Sequence, residues 1–558
     1  MTTQDQRFNS SHTPRWFGGL ACGISFICLF ELFSAVATTS DAKIHQQDVQ
    51  VGATGPLAAG QVTMPSSLTY YIDGLMGNDQ NAGTAPEEAW RSIARANRAD
   101  FAPGDQLIFA GGQTFAGTLS FQQEDSGTQN YPIRISSFGN GRALIHGGTE
   151  YGFQLNGCAH VVVSHLAFVG CGRQSGSDGN GVELRHTRYI KLDSLEVSGF
   201  RLSGVSATGD ENTRITRVYA HENGFAGIST SGERGAARTK NLYIGYCVAA
   251  NNPGDPKNLS NHSGNGIVAG GVDGGLVEYC EAFNNGWDMP RQGNGPVGIW
   301  GWDCNQLIIQ HCISHDNKTA TGAADGGGFD LDGGATRSIL QYNLSYNNHG
   351  CGYLLCQYPG AKRWKDNICR YNLSINDGLT NHFSGIYFWA GGGGISDAQV
   401  YNNVIINARH AICSTHDISG LVFHNNILIA DEAVIAGPLH QSVFANNLYH
   451  APKGEMVFRD GDQVFKTLAE WARTTGKETV DGHLAGFTVD PKLVLPNDFI
   501  ELPKDPRQLR DMSFYRLQAD SPCIGAGTAI KNNGASDFFG NPVPPNSRPS
   551  LGIHEPGR

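Results

Sequence analysis

One short phrase keeps returning in this chain. Tyr246-Cys247-Val248-Ala249-Ala250-Asn251-Asn252 comes back as Tyr279-Cys280-Glu281-Ala282-Phe283-Asn284-Asn285 and as His311-Cys312-Ile313-Ser314-His315-Asp316-Asn317. Tyr342-Asn343-Leu344-Ser345-Tyr346-Asn347-Asn348 and Tyr371-Asn372-Leu373-Ser374-Ile375-Asn376 repeat its frame, and Asn402-Asn403, Asn425-Asn426 and Asn446-Asn447 echo it. From Cys247 through Cys280, Cys312, Asn343, Asn372, Asn403 and Asn426 to Asn447 the steps are 33, 32, 31, 29, 31, 23 and 21 residues. Leu166, Leu195 and Val218 hold the equivalent place upstream. A period of this size predicts a solenoid of stacked coils, in which one coil cannot bury its apolar face without its neighbours. The stacked Asn amides are expected to hydrogen-bond along the axis. Cys247, Cys280 and Cys312 share one column, whose Cβ atoms lie about 4.8 Å apart, too far for a relaxed disulfide. They are read as small core residues, while Cys158 with Cys171, or Cys351 with Cys356, remain open as bridges.

Each coil also carries a strand written Gly, apolar, x, apolar, x. Strand side chains alternate faces, so the apolar residues point into the coil and the others point out. The outward pairs run Glu183/Arg185, Ser206/Thr208, Ser229/Ser231, Val268/Gly270, Trp300/Trp302 and Asp330/Asp332. After one further coil they resume at Tyr387/Trp389. In this alignment the Trp300 and Asp330 strands need a one-residue gap.

The predicted organisation is a signal peptide over 1–37, a linker over 38–68, an N-terminal cap over 69–130, the β-helix over 131–450, and a C-terminal region over 451–558 packed on it. The leader has Arg7 and Arg15 before an apolar run from Phe17 to Phe33 and an Ala35-Val36-Ala37 cleavage pattern. Export to the periplasm or the extracellular space follows, with no membrane contact beyond the signal peptide. Pro86 to Asn97 reads as a helix, and so does Phe465 to Thr475, with Leu468, Trp471 and Ala472 on one face. A net charge of -11 without a basic cluster gives no footprint for nucleic acid. The chain is expected to act as a monomer.

The stretches YYIDGLMGNDQNAGT, PGDQLIFAGG and SPCIGAG, with the coils between, resemble secreted right-handed parallel β-helix proteins of the pectate lyase and polygalacturonase superfamily. The resemblance implies an all-β fold and a polysaccharide partner. It supplies no catalytic residue, because the N-T-D, D-D, G-H-G and R-I-K signatures of polygalacturonases and the W-x-D-H and R-x-P-x-x-R signatures of pectate lyases are missing.

The candidate site therefore comes from the outward columns. Two residues along a strand separate Asp330 and Asp332 by roughly 6.6 Å. That falls in the window of about 6.5–9.5 Å that inverting glycosidases keep between acid and base. Asp325 and Asp303 are candidate third carboxylates. Trp300, Trp302, Tyr387 and Trp389 would offer rings to the apolar faces of sugars, with Arg291, Lys318 and His349 as polar substrate contacts. His315, His382 and His416 form no metal spacing. The leading expectation is an inverting hydrolase, which needs no cofactor. The alternative is a lyase in which Asp325, Asp330 and Asp332 hold Ca²⁺ and Lys318, Arg291 or the Lys362-Arg363-Trp364-Lys365 run supplies the base. A non-catalytic carbohydrate-binding β-helix is the third reading.

Overall fold

The strands alternate inward apolar and outward polar residues, and each coil has three of them. The result is three long sheets that wrap one apolar interior. The computed structural model describes residues 67–176, 178–232, 238–392, 394–407, 409–496 and 502–557. Among these the three sheets hold 14, 14 and 13 strands, ordered so that every strand pairs with the one a coil before and the one a coil after. Pairing within them is parallel, except where Phe458–Asp460 meets Gln463–Phe465 in an antiparallel hairpin at one end. The chain is a right-handed parallel β-helix. The leader and most of the linker lie outside the described residues. No helix among the described residues is long and apolar enough to cross a membrane.

The solenoid's strands begin early, since Thr69–Ile72 already pairs with Gln106–Ala110 in the first sheet. The helix expected over 86–97 is instead a 3₁₀ turn at Pro86–Glu88 and one α-turn at Ile93–Ala96. Trp90 lies between them in a bridge to Ile72, so its three-residue spacing from Ile93 reflects a turn rather than a continuous helix. The helix at Leu468–Thr475 buries Leu468, Trp471 and Ala472, the face read from the sequence. Its N-cap Thr467 accepts the Glu470 N–H, and Gly476 closes it at φ 73°.

Two corners of each coil are turned by residues with positive φ. At one corner stand Tyr246, Tyr279, His311, Tyr342 and Tyr371; at the other stand Asn251, Asn284, Asn347 and Asn376. Asn and His tolerate that region, whereas Tyr does not favour it. The rings are compensated by stacking outside the coil, with centroids 5.2, 5.1, 5.0 and 5.8 Å apart from Tyr246 through to Tyr371. Just inside, Asn343, Asn372, Asn403, Asn426 and Asn447 form an amide ladder with steps of 2.8–3.1 Å. A second ladder links Asn252, Asn285, Asn317 and Asn348. All eleven cysteines among the described residues are free thiols, so neither bridge left open by the sequence forms. Beyond the solenoid, Leu509, Tyr515, Phe538 and Leu551 of the C-terminal region cluster on Leu344, Leu373, Val404 and Ile427. These belong to the third sheet, and the second sheet's outer wall is left to the site.

Candidate active site

On that wall no gap is needed. Trp300 pairs with Asp330 in register, and the Asp332 N–H donates to Gly301 O at 2.8 Å, keeping Asp332 beside Trp302. One coil earlier Val268 and Gly270 stand opposite Trp300 and Trp302. A Cβ on Gly270 would lie 2.3 Å from Trp302 Nε1, so the glycine makes room for that indole. One coil later Asp330 faces Leu354. Leu354 and Cys356 in turn face Tyr387 and Trp389.

Loops flank these columns and frame a partly open cavity of about 1060 Å³. Asp325, Asp330, Asp332, Arg291, Trp300, Trp302, Tyr387 and Trp389 all line it. Three carboxyl groups thus share one largely desolvated space, and each departs from its ordinary range for a stated cause. Burial pushes Asp325 up to about 7; the Gly295 N–H on its Oδ2 at 2.8 Å opposes this, and the Asp332 charge adds to it. Burial pushes Asp332 up to about 6, opposed by the Cys356 thiol and by the Gly333 N–H at 2.6 Å. Asp330 is driven well above the carboxylate range by burial and by both neighbours. Its Oδ1 is buried without a hydrogen-bond partner, and it is only 2% exposed. It is held as a neutral acid.

Three candidates lie elsewhere. Asp303 follows Trp302 but turns away at φ 45° and is bound by Arg238 and Lys362. Lys318 donates to Asn284 at 2.9 Å and lines a separate cavity of about 370 Å³ with His315 and Asp316. His349 stays in its turn, with Nδ1 buried and unpartnered and its pKa lowered by burial and by Lys318. Neither Lys318 nor His349 lines the acidic cavity. The Lys362–Lys365 run is also spent: Lys362 on Asp303, Arg363 on Asp397, and Lys365 on Asp366, while Trp364 is buried. No group of three or more His, Cys, Asp or Glu side chains suited to a metal occurs among the described residues. One Asp325 oxygen accepts the Gly295 N–H, and Asp330 Oδ1 is buried without a hydrogen-bond partner.

Two histidines of the cavity were not read as site residues. His382 stacks on Tyr387 at 4.2 Å and brings Nε2 within 3.6 Å of Asp325 Oδ1; burial lowers its pKa to about 4. His262 stands edge-on to Trp300 at 5.0 Å. Each follows an Asn in the loop that leads into an outward-facing strand, Asn261-His262 and Asn381-His382, and that shared placement is the sequence signal for them. Trp300 itself is 4% exposed and donates Nε1–H to Asn265, so it builds the wall more than it offers a platform. Trp302 and Trp389 are half-buried and keep ring surface open to the cavity.

Known proteins match this fold. The family model described as a right-handed beta helix region matches residues 151–358. A lacto-N-biosidase from Bifidobacterium longum subsp. longum is 22% identical over 88% of this chain and 36% of its own length. An alpha-1,3-galactosidase A from Akkermansia muciniphila is 37% identical over 106 residues, covering 18% of this chain and 17% of its own. The chain thus spans about a third or less of the curated relatives it matches. The solved GH136 lacto-N-biosidase from Eubacterium ramulus is 18% identical and covers 70% of this chain and 67% of its own, with a TM-score of 0.47.

Proposed function

We propose that this protein is a glycoside hydrolase that holds an oligosaccharide in the 1060 Å³ cavity and cleaves it by carboxyl chemistry. The observation that carries the reading is the placement of Asp325, Asp330 and Asp332 in a single aromatic-lined space, where burial raises all three. Crowded carboxyl groups keep one protonated while another is ionised, which is the division of roles glycosidic cleavage needs, and we assign the carboxylate to Asp332 and the acid to Asp325. Asp332 serves as the carboxylate that activates water for attack on the anomeric carbon. Asp325, positioned by Gly295 and His382, donates its proton to the leaving oxygen. Asp330 remains neutral and gives the cavity a donor without adding a third charge.

The acid thus shifts from Asp330, its place in the i, i+2 reading, to Asp325. Inversion remains the expected course, and NMR of the first-formed product anomer tests it. The proposal keeps the exported monomer expected from the sequence, with no cofactor. Of the bases named for a lyase, Lys318 and the Lys362–Lys365 run lie outside the cavity lining and only Arg291 lies in it, so the lyase reading rests on Arg291 alone. The relatives' names direct the first substrate screen to lacto-N-biosides and alpha-1,3-galactosides. Release of a reducing sugar by the purified chain, lost in Asp332→Asn and Asp325→Asn, supports the hydrolase. A product absorbing as an unsaturated uronate contradicts it, and so does glycan binding without cleavage.

A further inference from the structure

One wall of the cavity carries a hydrogen-bond donor whose polarity is fixed by the fold. Asn265 opens the Asn265–Gly270 strand, and its Oδ1 accepts the Val297 N–H at 3.2 Å and the Trp300 Nε1–H at 3.1 Å. Both partners can only donate, so the other end of the amide must be the NH₂ group. That Nδ2 donates to Phe225 O at 3.1 Å and meets His262 Nδ1 at 3.0 Å. An NH₂ group cannot accept, so Nδ1 is the bare nitrogen and the ring's single hydrogen sits on Nε2. Burial and the Arg291 charge push His262 down to about 4, so the imidazole stays neutral. Turning the ring over would lose the Asn265 hydrogen bond at Nδ1; the ring is 9% exposed and packed against Trp300 and Phe225. His262 is one of the residues lining the cavity, and its Nε2 is not among the buried unpartnered atoms.

We propose that His262 Nε2–H is a specificity-determining donor that reads one oxygen of the bound sugar. This rests on the glycoside hydrolase reading and deepens it. A donor that cannot become an acceptor or a cation donates to a hydroxyl, ether or carbonyl oxygen at one place and penalises a deoxy sugar there. A buried polar group left unpaired costs more than a hydrogen bond gains, and that asymmetry is the basis of discrimination. Trp300, expected from the sequence as a platform, instead locks this relay through Asn265.

The test compares wild type with His262→Phe, which keeps an aromatic ring against Trp300 and removes the donor. The readout is kcat/KM on a cleaved glycoside and on its set of monodeoxy analogues, with Tm as the folding control. The expected result is a loss of roughly 10- to 100-fold on the parent glycoside. It should come with no further loss on the one analogue that lacks the oxygen read by His262. Parallel losses on the parent and every analogue, or no loss at all, overturn the proposal and leave the hydrolase reading standing. If the wild type cleaves no glycoside, the hydrolase reading fails by itself. The same ratio is then measured by calorimetric binding of the sugars, where an unchanged ratio overturns the role of His262. Nitrogen-15 NMR of the imidazole supplies an activity-free check: Nδ1 should be unprotonated at neutral pH, and a protonated Nδ1 contradicts the relay.

Discussion

The amide ladder and the acid wall are built by the same repeat, yet they treat buried polar atoms in opposite ways. In the ladder every coil satisfies the one before it. Asn372 accepts from both the backbone and side-chain N–H of Asn343 and donates to Leu340 O and Asn403 Oδ1, all within 3.1 Å. On the acid wall Asp330 Oδ1 has no partner at all, and three carboxyl groups crowd one space. Stacking at coil spacing lowers free energy when each rung donates to the next and raises it when like groups meet. The solenoid keeps the first arrangement for stability and the second for chemistry.

The comparison is broken most severely by substitutions of the same kind in the two places. Asp332→Asn and Asp325→Asn should each lower kcat by ~10²–10⁴-fold while Tm stays level or rises, because a crowded buried acid is relieved. Asn372→Ala should do the reverse. It strands the Asn343 N–H and the Leu340 carbonyl, costs roughly 3 kcal/mol by denaturant titration, and leaves the folded fraction fully active.

A smaller effect separates the ladder's end from its middle. Asn447 hands its ladder to Glu478, whose Oε1 also accepts from Tyr449 OH and whose Oε2 is unpartnered. Burial raises Glu478 from 4.5 to about 7. The folded state therefore holds a proton that the unfolded chain has lost across that interval. Stability conferred by this group is full below about 4.5 and declines as pH rises to about 7. Glu478→Gln should flatten that part of a Tm-against-pH curve. The smallest expected effect is none: a reducing agent should leave Tm unmoved, because the described cysteines form no bridge.

How much of this was legible in the sequence differs between the same two regions. Strand pairing and register follow from local alternation, so the ladder's separations of 29, 31, 23 and 21 residues are those read directly from the repeats. The columns that carry Trp300, Asp330 and Tyr387 were legible for the same reason. The loops were not. Their lengths differ from coil to coil, so although Asp325 was read as a candidate carboxylate, no period predicts that His262 and His382 converge on the same cavity. Asp303 shows the limit from the other side: it directly follows a site strand, but one positive φ turns it to Arg238 and Lys362. Trp90 and Ile93 failed for a different reason, since a three-residue spacing fits a turn beside a bridge as well as it fits a helix.

The most direct test of the acid cavity is the pH dependence of kcat/KM, for wild type on an unactivated glycoside and for Asp325→Asn on an aryl glycoside with an activated leaving group. The wild type should rise as Asp332 ionises near 6 and fall as Asp325 loses its proton near 7, giving a narrow bell. Asp325→Asn should keep the acidic limb and lose the alkaline one, because an activated leaving group departs without a proton. An alkaline limb that survives in Asp325→Asn would contradict the account.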